Sequence, residues 1–398
     1  GAGSSGGQGS AVWNSVVVTS PGALDGDDIT WSGTVDGTWD ESTSNWALTD
    51  SSPTAFATND RPTLDDTAST STISVTGSIF PGNVLVDNST LAYTIGGEPL
   101  RGIATLTKEG TNSLTLTGNN ILSGDVTITE GTLIAGDGAT SGELGSGAVS
   151  IASGATLAIS RSDTLNYKTS AKLRDVSGAG DILINGGGLL FTYPGGGLGF
   201  NSADTWAGLS GDIIITNGSE LQTIRNGATG RGSGSIILGD GSSSGSLSQI
   251  EGNWTWTNNI QAVGSNNSII NRSAGPPRSL KLQGAISGAG NLTFSDATGG
   301  MNDANRGFVI TNDVSLTGTI TVAAGAPLRV GGVPGEVSVD GTGLWGDSSG
   351  SLGTTPVVNN GTLTFSRTDS HTANSAISGT GAVRIGIPSG AGLGDTSS

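Results

Sequence analysis

The sequence predicts an all-β fold, a right-handed parallel β-helix (β-solenoid) with a Trp-rich N-terminal β cap segment. Apolar residues come in short alternating runs divided by G, N-G, D-G and S-G turns, the pattern of strands of about 4–6 residues. No window shows the apolar spacing of a helix. Whole phrases recur, with starts roughly 90–110 residues apart. The 34% hydrophobic fraction, mostly Val, Ile, Leu and Ala within those runs, lets a core form despite 69 glycines.

Three families of phrase recur. The first is 123-SGDVTITEGTLIAG-136, reworded as 210-SGDIIITNGSELQT-223 and 317-TGTITVAAGAPLRV-330. The second is a glycine turn entering a strand: 175-DVSGAGDILI-184, 285-AISGAGNLTF-294 and 376-AISGTGAVRI-385. The third pairs 144-LGSGAVSIASGATLAISRSDT-164 with 352-LGTTPVVNNGTLTFSRTDS-370, where Arg161 and Asp163 match Arg367 and Asp369. Such strands cannot bury their apolar faces alone, and stacked neighbours supply the missing surface. A bladed propeller needs a regular signature every ~40–50 residues, so the irregular spacing favours a solenoid. A coil of roughly 20–25 residues gives ~15–18 coils and a rod on the order of 75–85 Å long. The inward positions are then Val126, Ile128, Leu133, Ile182, Ile184, Ile213, Ile215 and Leu292, with threonines and serines outside.

In chain order, residues 1–20 read as a Gly/Ser-rich arm. Its stretch 11-AVWNSVVV-18 is a candidate exchanged strand, with Val12, Trp13, Val16, Val17 and Val18 as the contacting residues, because an open solenoid edge pairs with any strand offered to it. Residues 21–100 read as a Trp-rich cap and first coils. The phrase 31-WSGTVDGTWDESTSNW-46 places Trp31, Trp39 and Trp46 where they plug an open core; a sugar-stacking surface is the other reading. Residues 101–389 are the β-helix repeats, and 390–398 a flexible C-terminal tail.

The line 105-TLTKEGTNSLTLTGNNILSGDVTITEGTLIAG-136 resembles the autotransporter-associated β-strand repeat of bacterial surface proteins. The matching positions are Leu106, Lys108, Gly110, Leu114, Leu116, Gly118, Asn119, Ser123, Gly124, Gly131, Thr132 and Leu133. The Asn45–Trp46 segment is similar to what often precedes the first such repeat. The copies at 210 and 317 lack the lysine line, so the resemblance covers about a third of the chain. It implies a passenger-type parallel β-helix, exported, displayed on the bacterial cell surface and often adhesive, with no catalytic centre. These 398 residues hold no counterpart of a translocator barrel and open on GAGSSGGQGS, as expected of a mature or excised segment.

Composition narrows the function classes. The net charge of −17, with only 16 Lys plus Arg, leaves no basic stripe for nucleic acid. There is no cysteine for disulfides or thiolate metal sites. No apolar run approaches the ~20 residues of a membrane span. His371 is the only histidine, so one chain cannot build a histidine dyad or triad. The tightest acidic group, 25-DGDD-28, offers Asp25, Asp27 and Asp28 as a weak Ca2+ candidate against the reading of a solvated turn. Glycine runs 195-GGGLGF-200 and 230-GRGSGS-235 lack the Lys-Ser/Thr of a phosphate loop. Trp254 and Trp256 in 253-NWTWT-257 share one strand face; outward they form a shelf for a sugar or a subunit, inward they are core.

The expectation is an extracellular structural or adhesive protein that assembles head to tail with copies of itself into a fibre, without catalysis. Surface glycans are further candidate partners. The alternative is a polysaccharide-binding or polysaccharide-degrading protein on the same fold.

Overall fold

The computed structural model describes residues 26–166, 173, 175–191, 206–224, 231–251, 254–272, 279–299, 307–332, 349–367 and 369–386. Every regular element among them is a strand. Strand formation follows the alternation in the sequence. In Ser113–Leu116, Leu114 and Leu116 are buried while Ser113 and Thr115 are half-exposed, and Val126–Ile128 repeats the pattern with Thr127 outside. All eight inward positions named from the sequence are buried.

Successive coils stack in parallel register. Their strands form a twelve-stranded sheet, the long sheet, from Thr38–Trp39 to Val314–Leu316. An early sheet of nine strands includes Asp28–Trp31 and ends at Val176–Gly178. A late sheet, also of nine, runs from Thr164–Asn166 to Ile377–Ser378. A terminal sheet of six runs from Trp254–Trp256 to Ala382–Ile385. The only antiparallel pairings among the described strands are in the N-terminal cap, where Trp46–Leu48 lies against Asp28–Trp31 and Pro53–Thr54 against Trp46–Leu48.

The result is a parallel β-solenoid of about 11 coils. Eleven steps separate the twelve strands of the long sheet, so a coil takes about 25 residues and those steps span ~53 Å. The 15–18 coils read from the sequence are too many because all 398 residues were divided into coils; the coils also vary in length. Leu116 pairs with Ala135, only 19 residues on, whereas Ile184 pairs with Ile215, 31 on, and Gly288 with Leu316, 28 on.

The repeated phrases mark corners. Strands of the first family go from the early to the long sheet (Val126–Ile128, Thr132–Ala135), then from the long to the late sheet (Ile213–Thr216, Ser219–Ile224). The third copy goes from the late to the terminal sheet (Ile320–Val322, Pro327–Val330). The second family makes the same three passages at 176–185, 286–296 and 377–385. Each spacing is therefore whole coils plus one face. The second family shows why its glycine recurs. Gly178, Gly288 and Gly379 have φ of 111°, 114° and 105°. A Cβ on them would lie 2.0, 2.1 and 2.2 Å from the carbonyl oxygens of Ile151, Ala262 and Asn359 in the preceding coil. Only glycine lets the backbones meet there.

Polar groups turned inward are used as staples. Asn120, 2% exposed, accepts the amide of Leu100 at 3.0 Å and donates to the carbonyl of Glu143 at 3.0 Å, tying three coils. Asn258 accepts the Arg231 amide at 2.9 Å and donates to the Gly234 carbonyl at 2.7 Å. Each satisfies backbone groups that the bend takes out of the ladder. On the surface, Asp66 accepts the amides of Ser89, Thr90 and Leu91, each at 2.9 Å.

Two outcomes are expected. Gly325 also has positive φ but open space around its Cβ position. Gly325→Ala is thus expected to cost about 1 kcal/mol and Gly288→Ala at least ~3 kcal/mol; equal losses in urea unfolding would refute the corner argument. The three amides hold the Asp66 carboxyl below the usual carboxylate range. A depressed folded pKa adds stability above the unfolded value, about 4, and loses it as pH falls through the folded value. Asp66→Ala should therefore lower Tm at pH 7, with the gap to wild type narrowing below pH ~4; a gap that stays constant down to pH ~2 contradicts this.

Candidate functional site

At the N-terminal end, Trp31, Trp39 and Trp46 are each 0% exposed. Trp46 stands edge-on to both Trp31 and Trp39 at 4.9 Å between ring centroids, and Phe56 closes on Trp39 at 5.7 Å. Trp31 Nε1 donates to the Thr70 carbonyl at 2.7 Å. The ring faces are spent on one another, so the cluster is a plug and presents no sugar-stacking surface. Asn45, fully buried, finishes the end. Its Oδ1 accepts the amides of Val35 and Asp36, and its Nδ2 donates to Asp36 Oδ1 and the Thr38 carbonyl. Asp36 Oδ1 accepts the Thr38 amide at 2.7 Å. Side chains thus cover the outer edge of Thr38–Trp39, where the long sheet begins. The outermost strand of the hairpin, Pro53–Thr54, carries a proline, which has no amide to donate.

Trp254 and Trp256 face inward, 5% and 0% exposed, over Leu280 and Leu282 in register. Their rings lie 5.9 Å apart, and the Arg231 guanidinium sits 5.3 Å from the Trp254 ring. The outward shelf for a sugar or subunit is corrected: only Thr255 between them turns outward. Period-two alternation fixes that the two share a face, and their partners Leu280 and Leu282 decide which.

Of the acidic group, Asp28 is paired with Arg61 at 2.6 Å, and the Asp27 amide donates to Asp60 Oδ1 at 2.9 Å. Asp25 lies outside the described residues, as do Val12, Trp13, Val16, Val17, Val18 and the run 195–200. Among the described residues no three His, Cys, Asp or Glu side chains gather around a metal position. Residues 231–235 form the turn before Ile236–Leu238. His371 is exposed beside the Arg367–Asp369 pair.

That pair and its counterpart are structural clips. Arg161 holds Asp163 through two bonds of 2.8 and 2.9 Å and also donates to the carbonyls of Thr140 and Gly142 in the preceding coil. Arg367 holds Asp369 at 2.8 and 2.7 Å and donates to the Gly350 carbonyl. The Arg161 guanidinium holds the Asp163 carboxyl below its usual range. Lys108 is a group that sequence reasoning did not place. It is 0% exposed, and its Nζ donates to the carbonyls of Glu109, Gly110 and Glu130 at 2.5, 2.7 and 3.4 Å. Burial pushes the ammonium down from its ordinary pKa. The signal was there: Lys108 lies two positions after inward Leu106.

The C-terminal end is built differently. Val383 and Ile385 lie in register over Leu363 and Phe365, and Ile377 over Val357. Leu363 and Val357 are 0% and 1% exposed, but Ile377, Val383 and Ile385 are 37%, 49% and 78% exposed. They occupy core positions with no layer above them among the described residues. A second apolar group, Phe80, Ile103 and Ile121, lies on the side of the rod around the short sheet of Arg101–Gly102 and Ile121–Leu122.

Trp256→Ala is expected to cost about 3–5 kcal/mol in stability, as for a core aromatic, and the emission it removes should be emission that aqueous quenchers do not reach. Ready quenching with an unchanged Tm would put the ring outside. Comparison of the chain with known proteins finds no match to a family model, to a curated protein or to a solved structure.

Proposed function

We propose that this chain is the rod of an extracellular structural and adhesive protein that joins end to end into a surface fibre. The observation that carries the reading is the difference between the two ends of one continuous stack. The first coil is plugged by tryptophans, while the last described coil leaves Ile377, Val383 and Ile385 exposed. A stack of about 11 coils with threonines and serines outside gives length and a hydroxylated surface, as display requires. The resemblance of residues 105–136 to the autotransporter-associated repeat supports a passenger-type protein on a bacterial surface. The polysaccharide reading drew on the Trp254/Trp256 shelf, and both rings are buried. The excess of acidic over basic groups, 33 to 16, suits solubility outside the cell.

Negative-stain microscopy of the purified chain is expected to show filaments at high concentration with an axial repeat on the order of 60 Å. Gold-labelled antibody should bind intact cells of the source organism. Labelling confined to permeabilised cells would sink the extracellular reading, and globular particles without elongation would sink the rod.

A further inference from the structure

We propose that residues 11–18 of one copy add as a strand to the open C-terminal edge of a second copy. This rests on the structural-rod reading above and names both the partner and the joint. The receiving edge is formed by Ile377–Ser378 and Ala382–Ile385, the last strands of the late and terminal sheets among the described residues. Their inward residues Ile377, Val383 and Ile385 are those left exposed. Such an edge offers backbone hydrogen bonds to a strand and an apolar row to its side chains.

The segment 11-AVWNSVVV-18 has the chemistry of the missing layer. Taken as a strand, it puts β-branched Val12, Val16 and Val18 on one face with Asn14 among them, has no proline, and lies in a stretch, residues 1–24, without a charged side chain. Eight residues extend over ~27 Å, longer than the strands they would cover. The segment cannot reach its own C-terminal edge. Nine residues, 19–27, connect it to Asp28, and fully extended they span about 31 Å. The far edge lies beyond the ~53 Å of the long sheet. At its own end, Asp36, Asn45 and Pro53 already close the strand edges. A second copy stacked behind the first brings an open edge within reach. The ends also match in charge. Residues 26–66 carry nine acidic side chains and one arginine, whereas the charged residues of 349–386 are Arg367, Asp369 and Arg384, with His371 beside them. The approach is therefore attractive and weakens with salt.

Because the chain has no cysteine, one introduced pair reads the contact. The full chain carrying Val16→Cys and Ile385→Cys is expected to give a reducible ladder of dimers, trimers and higher species on oxidation, and each single variant nothing beyond a dimer. A monomer, or a species closed on itself, overturns the proposal. Val16→Asp with Val18→Asp should reduce filament mass at least about tenfold, and so should Ile385→Asp, while the circular-dichroism spectrum and single rods persist. Filaments that survive these changes, or that vanish only when residues 387–398 are removed, overturn it. Single rods without filaments at every concentration also overturn the joint but leave the rod reading standing, whereas loss of the rods themselves would remove both.

Discussion

The structure depends on parallel contact between the backbones of successive coils. Each coil is held by the one before and the one after, at a spacing of ~4.8 Å that leaves nothing between main chains but hydrogen bonds. Where the chain turns from one face to the next, the contact tightens until a Cβ has no room. That is the environment of Gly178, Gly288 and Gly379, each over a carbonyl of the coil beneath. Between corners the demand is looser: an inward residue must be apolar and must match the residue at its register position. This explains why the phrases repeat at corners and drift in between. Glu130, Asn217 and Ala324 occupy one place in the first family, while the glycine after them keeps φ of 69°, 71° and 80°.

Stability in such a stack is a sum over neighbours, so an end coil lacks half its partners. The N-terminal end meets this with size and polarity. Three indoles and Phe56 fill the cross-section that a next coil would cover. A reversed hairpin ending in Pro53–Thr54 stops the sheet, and Asn45 with Asp36 bonds the amide and carbonyl of Thr38 at the outer edge of the long sheet. Nothing comparable stands over Val383 and Ile385 among the described residues. Their counterparts one coil below, Leu363 and Phe365, show what those positions look like once covered: Leu363 is fully buried and Phe365 packs against the core.

How much of this was legible in the sequence follows from which forces are local. Alternation gave the strands and the inward residues, since burial on one face has period two. It gave the tryptophan plug, because large aromatics crowded before a repeat array have few other places to go. The pairing of Arg161–Asp163 with Arg367–Asp369 was visible as a match and proved to be one clip built twice. Coil number was not legible. The residues between Ile184 and Ile215 form a long coil and those between Leu116 and Ala135 a short one, and only register distinguishes them. The direction of Trp254 and Trp256 was likewise set by Leu280 and Leu282, more than twenty positions away. Lys108 went unplaced for a different reason: its spacing from Leu106 is that of an inward residue, but only the fold supplies the backbone carbonyls that replace water around the ammonium. The last coil has no local mark at all. A-V-R-I at 382–385 has the same alternation as a covered strand, and its exposure comes only from its place in the stack.

That asymmetry determines what kind of assembly the rod can build. Two open ends facing each other through a twofold axis would complete both cores at once and stop at a dimer, with both plugged ends outward. Their charged residues, two arginines against one aspartate on each side, would then meet like against like. A plugged end meeting an open end is a heterologous contact instead, and a straight stack does not close it into a ring, so it continues. The plug prevents the coils themselves from supplying the strand at that contact, because its edges are already bonded. In the proposed joint, a donor segment ahead of the plug removes the conflict. The first coil would stay sealed in the free chain, protected from indiscriminate edge pairing, and the second copy's exposed layer would take a segment that has no edge of its own within reach. A sealed end with the donor strand ahead of the seal would thus make growth directional, and the same arrangement would confine the exposed apolar layer to one per filament.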